Sequence, residues 1–139
     1  MSNDYNLKRF VDAQARDYHI ALTEIKSGHK RSHWMWYVFP QIAGLGYSEM
    51  AKRFAIKDLP DAIAYLEHPV LGPRLMEISH ALLRLPGNNA IAVMGSPDDL
   101  KLRSSMTLFS LVPGADPVFE AVLNKFFNGE KDKATMQLV

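Results

Sequence analysis

The sequence predicts an all-α fold, an irregular single-domain bundle of about six to eight short helices over residues 1–139. Three observations lead there. Apolar residues recur at the helical period of 3.6 in several separate stretches. Those stretches are bounded by Ser and Asp caps, first-turn prolines and glycine stops. No run keeps the strict alternation of a half-buried strand, apart from one ambiguous aromatic segment.

Leu7, Phe10, Val11, Tyr18, Ala21, Leu22 and Ile25 share one face of the first helix, with Lys8, Arg9, Asp12, Arg16 and Glu24 outside it. The helix runs to about Lys26, where Ser27-Gly28 offers a residue able to turn left-handed and end it. Gln14 falls inside the apolar stripe, so its amide must find partners, because an unmatched buried polar group costs about 1–3 kcal/mol.

Residues 32–40, Ser-His-Trp-Met-Trp-Tyr-Val-Phe-Pro, are apolar on every face. As a helix they place Met35, Trp36 and Phe39 on one side; as a strand they alternate His33, Met35, Tyr37 and Phe39 with Trp34, Trp36 and Val38. Ser32 as an N-cap and Pro40 as a stop favour a short buried helix. Gly44-Leu45-Gly46 reads as a turn, and Ser48 as the cap of a helix with Met50, Phe54 and Ile56 as core candidates.

Asp58 or Leu59, before Pro60, marks the next helix start, with Ile63, Tyr65 and Leu66 on its apolar side, until His68-Pro69 interrupts it. Leu71, Leu75, Ile78, Leu82 and Leu85 form a clean stripe, closed by Pro86-Gly87-Asn88-Asn89. Ser96-Pro97-Asp98-Asp99 combines a cap, a proline and two first-turn acids, ahead of Leu102, Met106 and Phe109. Pro113-Gly114 turns the chain, and Asp116-Pro117 opens a helix carrying Phe119, Val122, Leu123 and Phe126, ended by Asn128-Gly129. Lys133 to Leu138 form a last helical turn.

Composition excludes several kinds of chemistry. Without cysteine there is no disulfide, thiolate metal site or thiol nucleophile. The polar start, Met1 to Asn6, lacks the layout of a signal peptide, and the longest apolar run is only Trp34 to Phe39, so a soluble cytoplasmic protein without membrane contact is expected. Sixteen Lys and Arg against fifteen Asp and Glu leave a net charge of +1, which argues against nucleic acid as a partner. The five histidines show no metal-ligand spacing, and no dinucleotide fingerprint, phosphate loop or nucleophile elbow is present, so neither a metal nor a cofactor is expected.

Two clusters could carry function. Lys26, His29, Lys30, Arg31 and His33 run directly into Trp34, Trp36 and Tyr37. Cations beside aromatic faces suit a phosphate and a heterocycle: Arg31 would hold the phosphate, amides near Ser32 would supplement it, and Trp36 would stack. The competing reading makes both tryptophans core and the basic residues a solvated loop. In the second cluster, Asp98 to Thr107, Lys101, Ser104 and Ser105 share a helical face that could hold an anion, while Asp99 and Arg103, one turn apart, would pair at the surface. His33 and Asp99 are the candidate proton carriers, and His68, ahead of Pro69, could hydrogen-bond in a turn.

Three blocks carry a resemblance: residues 30–41, residues 66–75 and residues 98–109. Together they resemble the family labelled domain of unknown function 1810, some of whose members bear the label calpastatin. The resemblance implies a mainly α-helical single domain and no established activity. Calpain inhibitors are disordered repeats, whereas this composition is that of a packed globule, so the label has no weight here. The family's blocks direct attention to Ser32, His33, Trp36, Gln41, His68, Asp99, Lys101 and Ser105.

The first functional expectation is therefore a pocket for a phosphorylated or nucleotide-like small molecule, with hydrolase or transferase activity as an open extension. Arg31, Ser32, Trp36, Lys101 and Ser105 would bind, and His33 or Asp99 would move a proton. The alternatives are a non-catalytic protein-interaction module anchored by Trp34 and Tyr37, and RNA or single-stranded DNA binding. The sequence leaves open whether the protein is an enzyme and what its oligomeric state is.

Overall fold

The computed structural model describes residues 6–139, and the polar stretch 1–5 lies outside the described residues. Nine helices follow one another among them: α1 (Lys8–Lys26), α2 (Met35–Val38), α3 (Glu49–Arg53), α4 (Leu59–Glu67), α5 (Leu71–Leu83), α6 (Ala90–Met94), α7 (Asp98–Ser110), α8 (Val118–Phe127) and α9 (Lys133–Leu138). No strand is formed among the described residues; an isolated parallel bridge joins Ile42 to Ile56. The all-α expectation holds. Of the nine helices, α6 has no counterpart in the apolar pattern: Asn89 caps it by accepting from Ala92 N at 3.0 Å, but five residues are too few to show a stripe.

Local signals set most boundaries. Gly28 ends α1 with φ +82°, and Asn128 ends α8 in the left-handed region at φ 55°. Ser48 caps α3 by accepting from Ala51 N at 3.1 Å, and Asp58 caps α4 by accepting from Asp61 N at 3.0 Å. Asp61 in turn accepts from Lys57 N at 2.8 Å, although it is buried; burial pushes its carboxyl upward, while that amide and Arg9 pull it back. His68 starts α5 by accepting through Nδ1 from Val70 N at 3.1 Å and Leu71 N at 3.3 Å, as its place before Pro69 suggested.

One core runs through the molecule. α7 packs on α8, α6, α9 and α4; α5 packs on α1, α4 and α8; α2 lies against α1. Phe10, Tyr65, Phe109 and Phe119 form a chain of ring contacts with centroids 5.2 to 5.9 Å apart. The expected stripes of α1, α5, α7 and α8 are buried, with Val11, Leu85 and Phe126 only partly so. Gln14 does find its partners. Its Nε2 donates to the Tyr37 carbonyl at 2.7 Å and to the Tyr65 hydroxyl at 3.0 Å, and its Oε1 accepts from Arg74 at 3.4 Å.

Among the described residues no helix is long and apolar enough to cross a membrane.

Candidate functional site

The aromatic segment resolves as a four-residue helix. Trp34 holds its N-cap position, and Trp34, Met35, Tyr37, Val38 and Phe39 are all buried. Ser32 is not the cap that the sequence suggests, because its hydroxyl and amide are taken by Glu24 at the end of α1. Glu24 Oε1 accepts from Arg31 N at 2.9 Å, Ser32 N at 3.0 Å and Trp34 Nε1 at 2.9 Å, while Oε2 accepts from Ser32 Oγ at 2.5 Å. Burial alone would raise this carboxyl, but the bonds from Ser32, Arg31 and Trp34 outweigh it and hold it low, at about 2. The amides once open to a phosphate thus already serve a carboxylate.

Two more clamps fix the segment. The Tyr37 hydroxyl donates to Asp17 in a short hydrogen bond, and burial followed by that bond raises the phenol well above its ordinary value. On the other side the Lys30 ammonium, with only 7% of its side chain exposed, donates to the Ser32 carbonyl at 2.5 Å and lies 4.9 Å from the centre of the Trp34 ring. It also pairs with Asp98 at 2.8 Å. Asp98 receives Lys101 as well, at 3.5 Å, and the Lys101 ammonium stands 5.2 Å from the centre of the Trp36 ring. The two clusters singled out in the sequence therefore meet, through Asp98 rather than Asp99.

Among residues 34–39, Trp36 is the one that remains partly uncovered. It lines a cavity of about 160 Å³ together with Gln41, Gly44, Gly46, Lys52 and Phe54. Gly46 lets the loop pass close against α3, since a Cβ there would lie 2.6 Å from the Ala51 Cβ. Lys52 is exposed and has no ion-pair partner among the described residues. It is a cation that the sequence reading missed, since basic residues ending a helix are already explained by the dipole.

The other expected site residues are dispersed. Arg31 lines a separate open groove of about 500 Å³ with His19, Ile20, Thr23, Glu24 and Ser27. His33 is exposed, and its carbonyl accepts from Tyr37 at 3.3 Å. Asp99 is buried and its Oδ1 has no hydrogen-bond partner; it does not form the expected surface pair with Arg103, whose Nη2 lies 3.7 Å from Asp132. The pair fails because Asp132, which caps α9, competes for the guanidinium while Asp99 turns inward. Ser105 is fully buried with an unpartnered Oγ, and Ser104 donates to Asp132 at 3.1 Å, so the polar face expected from Lys101, Ser104 and Ser105 does not reach solvent as a unit. No group of three or more His, Asp or Glu able to hold a metal occurs among the described residues.

The family model described as a protein of unknown function, DUF1810, matches residues 4–139. The chain belongs to that family. A search of curated proteins gives no match for this DUF1810 chain. The crystal structure of the conserved hypothetical protein Rv1873 from Mycobacterium tuberculosis is similar to it, with 46% identity and a TM-score of 0.96 over 99% of this chain and 98% of the other. In the DUF1810 chain the three sequence blocks converge on α2. Lys30 of the first pairs with Asp98 of the third, Lys101 of the third lies over the Trp36 ring of the first, and Arg74 of the second bonds Gln14, which holds the Tyr37 carbonyl.

Proposed function

We propose that the protein binds a phosphate-bearing, nucleotide-like small molecule at the uncovered face of Trp36. The observation that carries this reading is the position of that indole, set beside a small concave site and next to an ammonium while Trp34, Met35, Tyr37, Val38 and Phe39 around it are buried. A cavity of about 160 Å³ has room for one ring, as an engineered cavity of about 150 Å³ holds benzene. The ring would lie against Trp36 with the Gln41 amide at the wall; Lys52, which lines the cavity, and Lys101, which stands outside it over the Trp36 ring, would neutralise the phosphate. The reading is one of binding. His33 and Asp99 are not among the residues lining this cavity, so neither is assigned a proton-transfer role, and Arg31, Ser32 and Ser105 are not needed for it.

A thermal-shift panel of nucleoside monophosphates and diphosphates, ADP-ribose and pyrophosphate tests it. A ligand at one hundred times its Kd stabilises by about 2.7 kcal/mol and raises the melting temperature. Loss of Trp36 stacking in W36A should weaken binding about tenfold or more, and so should loss of a charged partner in K101A. If no member of the panel shifts the melting temperature, the reading fails.

A second reading, a protein-interaction module, moves to a different surface. Trp34 and Tyr37 are buried and cannot serve as anchors, but Tyr47 is 83% exposed, and Leu138 of α9, also exposed, lies within 3.3 Å of the position a Cβ on Gly44 would take. A partner there would cover Tyr47 and α9.

A further inference from the structure

We infer that Asp98 is an internal counter-anion: its carboxylate holds Lys101 in place of a ligand's phosphate and so limits the access of anions to Lys101 and Trp36. The inference rests on the binding reading above and adds the device that would set its charge selectivity. Two ammoniums share one carboxylate, and they share it unequally. Lys30 is nearly buried, 2.8 Å from Asp98, and is fixed a second time by the Ser32 carbonyl and again by the face of Trp34. Lys101 is 29% exposed and only 3.5 Å from the same carboxylate, and its other contact is the face of Trp36.

Lys101 is therefore the partner that can leave. When it turns toward an incoming phosphate, Asp98 keeps Lys30 and is not left as an unpaired charge, so the exchange replaces one ion pair with another. A dianionic phosphate attracts Lys101 more strongly than the single charge of Asp98 does. An uncharged nucleoside offers nothing in exchange. Asp98 thus discriminates among anions: it withholds Lys101 from weak, singly charged ones and yields it to a dianionic phosphate, at the cost of part of that phosphate's affinity.

The variant D98N keeps an oxygen that can accept from Lys30 while removing the charge. Quenching of tryptophan fluorescence by iodide, compared with uncharged acrylamide, reads the local potential without any ligand, and W36F identifies which indole responds. In D98N the iodide quenching constant of Trp36 should rise about twofold, with acrylamide unchanged, and K101M in the same background should cancel the rise. Nucleoside monophosphate affinity should rise about threefold to tenfold, with the matched nucleoside unchanged. Unchanged iodide quenching, or a rise that survives K101M, would overturn the inference even if nucleotides bind. If the wild type binds no nucleotide, the binding reading fails, and iodide alone still decides whether Asp98 screens Lys101. Circular dichroism confirms that each variant is folded.

Discussion

Replacing Glu24 by Ala should destabilise the protein by about 2–3 kcal/mol and loosen the whole of α2. The Glu24 carboxylate accepts four hydrogen bonds, and losing a charged acceptor strands its donors, among them the Trp34 indole N–H on a buried ring. The sum of four full bonds would overshoot, because the Arg31 and Ser32 amides lie near solvent and can recruit water. E24Q separates charge from shape, as its single carbonyl oxygen can replace only part of the set. Urea denaturation of the three proteins measures the effect.

The same residue predicts a pH dependence with a definite sign. The folded carboxyl sits at about 2, below its ordinary value of 4.5, so the folded state holds the proton less tightly than the unfolded chain does. Its contribution is fully present above about pH 4.5 and is lost as pH falls toward about 2. Stability of E24Q should therefore fall less steeply than that of the wild type across this window. Equal slopes would show that the clamp carries little charge-dependent energy.

Gly72→Ala should be the most damaging single-methyl change in the chain. A Cβ on Gly72 would lie 2.1 Å from the Leu66 carbonyl oxygen and 2.9 Å from its carbon, so it meets backbone at the end of α4 rather than a side chain that can rotate away. Alanine gains about 1 kcal/mol over glycine in a helix, and that gain is the smaller effect here. Separating α4 from α5 at the His68 corner should cost about 3 kcal/mol or more, lowering Tm by roughly 10 °C. A Tm within about 2 °C of wild type would mean the corner opens at little cost.

Much of the fold was legible because helix starts and stops are local. Ser48, Asp58 and Gly28 announce themselves through their own caps and turns, and the four long apolar stripes need only the 3.6 period. What escaped depends on contacts between distant residues. Asp98 and Asp99 look equivalent in sequence. α7 begins at Asp98 with Pro97 in the cap position, one residue later than the Ser96-Pro97 signal suggests, and this register leaves Asp98 beside Lys30 while Asp99 is buried.

In the sequence Glu24 is simply a polar residue outside the apolar stripe. A signal was present: an acid in the last turn of α1 opposes the helix dipole, and such a misfit points to a tertiary partner. Gly72 carried no positive φ to betray it, and its role lies entirely in the close approach of a neighbouring helix. Of the candidate residues picked out in sequence, Trp36 and Lys101 lie together, whereas Arg31 lies in another groove and Ser105 is sealed inside, placements that depend on contacts between distant residues.

Titrating an isotopically labelled protein with a nucleoside monophosphate, and following its amide and indole NMR signals, asks whether Trp36 and its cavity bind the ligand. The Trp36 indole N–H and the backbone amides of Gly44 and Gly46 should shift together along one binding curve, while the Trp34 indole N–H, held by Glu24, stays in place. Shifts centred on His19, Thr23 and Arg31 instead, or no saturable shifts at all, would contradict binding at Trp36.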